Sequence, residues 1–183
     1  MYLSIMQLCF TIKNKMNLYV LLGLFFVLSI TFSFLCSILE AVLLSITPSF
    51  IRKEVAKNSQ TGKLFSEFKK DIDKPLSAIL TLNTIAHTVG AIGVGAIAGE
   101  IFGENKINLG FMHLSYEAII AGAMTLAILI LSEIIPKTIG ANNWRSLAGF
   151  TAKTLRILLI ILKPFVWMSQ LITKSLKKDK EKS

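Results

Sequence analysis

Three short sets of polar residues, each set inside an apolar stretch, have the types and spacing to do chemistry. Ser29, Ser33, Ser37 and Glu40 follow one another at intervals of four, four and three, which places all four on one face of a helix. Asn83 and His87 stand one turn apart, and Gly90 continues their face. Ser132 and Glu133 precede Pro136 and Lys137. A proline brings no N–H, so it frees carbonyls in the turn before it, here beside a carboxylate. Hydroxyls, an amide, a carboxylate and freed carbonyls form an oxygen set that suits a hard cation such as Mg²⁺, Ca²⁺ or Na⁺ better than Zn²⁺ or Cu²⁺.

Each residue also has a plainer reading. Span serines usually bond back to the preceding turn, an apolar-face Asn can join two helices, and a lone His is more often packed and neutral than a ligand. Those readings do not account for four polar groups stacked in one line and ending in a carboxylate. They account even less for Glu133, which no plain helix packing requires. The sequence carries no HExxH, no GxSxG and no second carboxylate set as an aspartyl pair. A serine paired with His87 is the only hydrolytic reading left, and the chain is read as no enzyme.

The elements that must position these residues are membrane helices. A chain of 183 residues that is 53% hydrophobic, with a mean hydropathy of +0.63, has more apolar surface than a globule of its size can bury. Residues 18–39 are uncharged over the roughly 20 residues a helix needs to cross a hydrocarbon core, and the helix should run on to residue 46, where Pro48 stops it. A second span is expected over 75–99 and a third over 118–136, joined by a short polar connection over 100–117 that contains Gly103, Asn105, Asn108 and Gly110. Residues 49–74 mix seven cations with apolar residues at near-helical spacing, predicting one or two amphipathic helices at the membrane surface. Over 147–176, Lys153, Arg156, Lys163, Gln170, Lys174 and Lys177 fall in a narrow stripe. That predicts an interfacial helix bent midway by Pro164 rather than a fourth span. The fold class expected is an all-α membrane protein with three transmembrane helices plus juxtamembrane amphipathic helices. It divides into an N-terminal extension (1–16), poorly structured and with Met16 an alternative start, a transmembrane domain (17–176) and a charged, frayed tail (177–183).

The net charge of +9 collects beside the apolar runs, a pattern for anionic lipid and not for nucleic acid. Basic residues are rich over 49–74 and after Lys137 and poor over 100–117, which places the N-terminus outside and the C-terminus in the cytoplasm; Lys13 and Lys15 run against this. Gly90, Gly93 and Gly95 offer a small-residue face for close packing, from which a homodimer is expected. Cys9 and Cys36 read as small hydrophobes.

Three stretches, 32–51 (FSFLCSILEAVLLSITPSFI), 79–98 (ILTLNTIAHTVGAIGVGAIA) and 132–149 (SEIIPKTIGANNWRSLAG), resemble the transmembrane domain of the CNNM/CorC proteins, also called DUF21. The resemblance implies a homodimer of three-span subunits in the inner membrane that transports Mg²⁺, in bacterial members by Na⁺-linked export. Carried over residue by residue, it implies Mg²⁺ ligands at Ser33, Ser37, Asn83 and Glu133 with a carbonyl from Ser132; beside these, the residues themselves lead us to expect a helix break and gate at Pro136 and Lys137 and outer partners in Glu40 and His87. This chain has Leu39 where many members have a small polar residue, and Ser132 where many have Gly. The CBS domains that usually follow are not in this sequence. A non-transporting, cation-sensing regulator or scaffold is the alternative to a transporter.

Overall fold

A computed structural model of the chain describes residues 2–102, 106–108 and 113–180. Three helices are long and apolar enough to cross a membrane, over Asn17–Ser45, Asp73–Ile101 and Ala118–Asn142. At about 1.5 Å per residue each exceeds the ~30 Å hydrocarbon thickness. They belong to α1 (Tyr2–Ser45), α4 (Asp73–Phe102) and a composite third span. That span comprises α5 (Tyr116–Ala127), a π-helical segment (Ile128–Ile134) and α6 (Ile135–Asn142).

Helix α1 starts at Tyr2, so the extension expected to be poorly structured continues the span as helix. The stretch before Met16 contains neither Gly nor Pro, and nothing in it halts propagation from the nucleated span. Of the connection between the second and third spans, β1 (Lys106–Asn108) and β2 (His113–Ser115) form a two-stranded antiparallel hairpin with Asn108 opposite His113. Gly103, Asn105 and Gly110 lie outside the described residues. The hairpin was not expected. With three residues per strand, it is too short to show a period-two pattern.

Two surface helices fill the basic stretch after the first span, α2 (Pro48–Ala56) and α3 (Gln60–Lys70). Pro48 both ends α1 and opens α2, where its missing N–H costs nothing, and the Thr47 hydroxyl accepts from the Phe50 N–H at 3.4 Å. Helix α2 closes on Asn58, whose φ of 59° lies in the left-handed region that Asn tolerates. Gly62 then lets α3 pass directly against the α2 backbone, since a Cβ there would sit 2.6 Å from the Val55 nitrogen.

The amphipathic segment after the third span is two helices, α7 (Trp144–Ile161) and α8 (Lys163–Lys180), meeting at 80°. The break falls at Leu162, placing Pro164 in the first turn of α8, the part of a helix a proline tolerates. Of the tail, residues up to Lys180 extend α8 and 181–183 lie outside the described residues.

The main core gathers at the end of the bundle where these surface helices lie. Leu39, Val42 and Leu43 of α1 and Ile46 just beyond it meet Phe65 and Phe68 of α3, Ile79 of α4 and Ala152 and Leu155 of α7. Farther along the spans burial thins, and Val20, Val27, Ile92, Leu126 and Leu129 are exposed, as helices bathed in lipid tails should be.

Candidate cation site

Close approach of helices at small residues sets the register of the site. Gly93 of α4 lies against the Phe25 ring, and the Ser29 hydroxyl donates to the Ala86 carbonyl at 2.9 Å. The numbering therefore runs in opposite directions on α1 and α4. One turn further along α1, the Ser33 hydroxyl meets His87 Nε2 at 2.6 Å, and the same register brings Asn83 to the level of Ser37. The third span runs parallel to α1. A Cβ on Gly140 would lie 2.9 Å from the Ala41 Cβ and 3.0 Å from the Ile38 carbonyl oxygen, so α6 touches the α1 backbone. One turn before Gly140 in α6, Lys137 pairs with Glu40 at 3.3 Å, and one turn before that Glu133 Oε1 lies 3.7 Å from His87 Nε2.

Three helices thus converge on one polar cluster. Ser33 and Ser37 are almost wholly buried, and so is Ser132, whose hydroxyl donates back to the Ile128 carbonyl at 2.6 Å. That bond occupies the Ser132 hydroxyl proton. Ser37 Oγ and Asn83 Oδ1 are buried with no hydrogen-bond partner among the described residues. The π-helical segment supplies more oxygen. The Ile135 N–H reaches back to the Ile130 carbonyl and Pro136 has no N–H. The carbonyls of Leu131 and Ser132 thus lose the donor that an N–H at position 136 would offer one of them.

Of the five residues expected to ligate a cation, Ser33 and Glu133 both approach His87, Ser37 and Asn83 each carry a buried unpartnered oxygen, and Ser132 bonds back within its own helix. Two features were not legible beforehand. His87, expected behind the ligands or merely packed, touches both Ser33 and Glu133. Glu40, in line with the serines, is held by Lys137 at the end of the cluster nearer the surface helices. The serine-hydrolase alternative is disfavoured by geometry: Ser33 and Glu133 both approach the Nε2 edge of His87, whereas a triad needs the carboxylate on Nδ1.

The glycine face expected to join two subunits is largely used inside the chain. Gly93 packs on Phe25 and Gly90 is buried, whereas Gly95 has no atom within 4 Å of where its Cβ would be. The α1 aromatics need the close approach that Gly93 permits.

Comparison with known proteins places this architecture. A family model described as the cyclin M transmembrane N-terminal domain matches residues 24–183. The chain is similar to the UPF0053 protein sll1254 of Synechocystis, 29% identical over 139 residues that cover 76% of this chain and 37% of that protein. It is also similar to a UPF0053 protein of Haemophilus influenzae, 30% identical over 123 residues covering 65% and 27% of the two chains. The UPF0053 inner membrane protein YfjD of Escherichia coli is 25% identical over 127 residues, covering 69% and 27%. The chain thus spans well under half the length of each of these relatives.

Proposed function

This chain belongs to the cyclin M transmembrane-domain family, and on that premise we propose that it is the membrane-spanning part of a divalent-cation transporter that exports Mg²⁺ across the inner membrane in exchange for inward Na⁺. The observation that carries the reading is the pair of buried, unpartnered oxygens, Ser37 Oγ and Asn83 Oδ1, on the two spans that Ser33 and His87 join, His87 lying 3.7 Å from the Glu133 carboxylate. Each such orphan costs about 1–3 kcal/mol, and a cation held by both relieves that cost. Mg²⁺ takes oxygen ligands in near-octahedral array, and Ser33, Ser37, Asn83, Glu133 and the Ser132 carbonyl offer five.

His87 serves that set from behind. Its Nε2 holds the Ser33 hydroxyl at 2.6 Å and orients that ligand from outside the ion's own shell. Pro136 maintains the helix break, and the Lys137–Glu40 pair ties α6 to α1 beyond the site, as a gate would. The Glu133 and His87 side chains are 30% and 28% exposed in the single chain. A carboxylate facing lipid is costly, which supports a homodimer in which the second copy covers that side.

Flux into liposomes holding only this protein tests the reading against a non-transporting sensor. Mg²⁺ should move, a Na⁺ gradient should accelerate it, and Glu133→Gln should abolish it while the protein still elutes as a folded species. Binding without flux would identify a sensor. Unaltered flux in Glu133→Gln would move the site toward Glu40.

A further inference from the structure

A recess lies at the surface-helix end of the bundle, lined by none of the residues of the Ser33–His87–Glu133 cluster. Where the first span ends at Ser45 and the third at Asn142, the chain turns into α2 and α7, and these two helices enclose a recess of about 450 Å³. The Phe50 and Trp144 rings lie edge to face with centroids 5.2 Å apart, tying α2 to α7 and giving the recess an apolar side. Lys53, Lys57 and Arg145 line it, with Glu54 the acidic lining residue.

These cations are unequally engaged. Lys57 pairs with Glu54 at 3.1 Å, and that hydrogen bond holds the Glu54 carboxyl below the usual carboxylate range. The Arg145 guanidinium lies 5.0 Å from the Trp144 ring centroid, and among the described residues neither Arg145 nor Lys53 is in an ion pair. Three cations against one carboxylate leave an excess of two positive charges. The Thr47 and Ser49 hydroxyls, 3.0 Å apart, add neutral donors to the same lining.

We propose that this recess binds the headgroup of one anionic phospholipid, its phosphodiester held between Lys53 and Arg145 and its glycerol end resting on the Phe50–Trp144 pair. A guanidinium matches a phosphate's geometry, and an indole beside it belongs at headgroup depth. The recess sits where two spans leave the hydrocarbon, which is where a lipid phosphate lies and where a soluble phosphate has no need of an aromatic wall. The site is discrete and holds one lipid per chain, which distinguishes it from the diffuse attraction of a basic surface.

The chain has two tryptophans, so Trp167→Phe leaves Trp144 as a single reporter inside the site. The full chain, purified in a maltoside detergent, is titrated with dioctanoyl phosphatidylglycerol, with dioctanoyl phosphatidylcholine and with sodium phosphate, following Trp144 emission. Phosphatidylglycerol should give a saturable change at one lipid per chain, and the other two none at the same concentrations. Lys53→Gln and Arg145→Gln should each weaken binding about fivefold, the effect of one surface cation on an anionic lipid. Glu54→Gln removes the competing carboxylate and frees Lys57, so it should tighten binding, a change that misfolding cannot produce. Equal response to phosphatidylcholine, saturation by phosphate alone, or an unshifted midpoint in the three variants would each overturn the assignment.

Discussion

Ser37 Oγ, Asn83 Oδ1 and Thr151 Oγ1 are buried without a protein partner, but they do not have the same meaning. The first two lie on the two spans that Ser33 and His87 join beside Glu133, whereas Thr151 sits in the α7 core. Asn83→Ala removes an orphan along with a ligand. Without Mg²⁺ it should leave the thermal midpoint unchanged or higher, and with Mg²⁺ it should lose the stabilisation that saturating ligand gives the parent. A drop in the cation-free midpoint would show that Asn83 is a structural hydrogen-bonding residue. Ser29 already donates to Ala86, so Ser29→Ala should leave Mg²⁺ flux intact. His87→Ala leaves all five ligands in place but Ser33 unoriented, and affinity should fall about tenfold while transport persists, as when an outer partner of a ligand is lost. Isothermal titration with Mg²⁺ separates these cases. The residue types of the site were legible in the sequence because polar atoms in apolar runs stand out. Glu133 was expected to ligate and Glu40 to stand behind it; that Lys137 would occupy Glu40 was not legible until the third span was set against α1.

At the scale of elements, the third span is where sequence pattern and structure part. Hydropathy over 118–136 is uniform, and nothing in it marks Ile128–Ile134 as π-helical; Pro136 alone hints that the ladder breaks. The widened turn follows from two demands on one segment, since α6 must meet α1 at Gly140 while Glu133 points toward His87. Gly140→Ala should therefore disturb both. Its Cβ has no room against the Ile38 carbonyl, α6 must back away, and overpacking of this kind costs about 1–3 kcal/mol. A lower unfolding midpoint together with weaker Mg²⁺ binding is the expected outcome, and an unchanged midpoint would mean that α6 tolerates the shift. Thr151→Val should act in the opposite direction: it replaces a buried, unpartnered hydroxyl by a methyl group of the same shape and should raise the midpoint in the same assay.

At the scale of the whole molecule, the three spans were legible because a membrane helix is specified by length and apolarity alone, and those survive any detail of packing. The 80° meeting of α7 and α8 was only half legible. Pro164 marks the break, but the angle comes from docking two faces. Ala152 and Leu155 of α7 enter the main core, while on α8 Ser169 bonds Ser77 of α4 and Gln170 donates to Asp71 beside α3. With α2, α3, α7 and α8 at one end of the bundle, most of the Lys and Arg sit there, while Lys13 and Lys15 on the first part of α1 and Lys106 on the hairpin stand at the other. By the positive-inside rule that asymmetry predicts surface helices and C-terminus in the cytoplasm and the hairpin outside. A test needs Cys9 and Cys36 replaced by Ala, then single cysteines placed at Asn108 on the hairpin and at Ser59 between α2 and α3. A membrane-impermeant maleimide added to intact cells should label Asn108→Cys at once and Ser59→Cys only after permeabilisation. The reverse pattern would invert the molecule in the membrane and turn the outward direction proposed for Mg²⁺ into an inward one. Labelling of both in intact cells would mean that the chain inserts in two orientations, in which case an antiparallel pair of subunits would replace the symmetric homodimer.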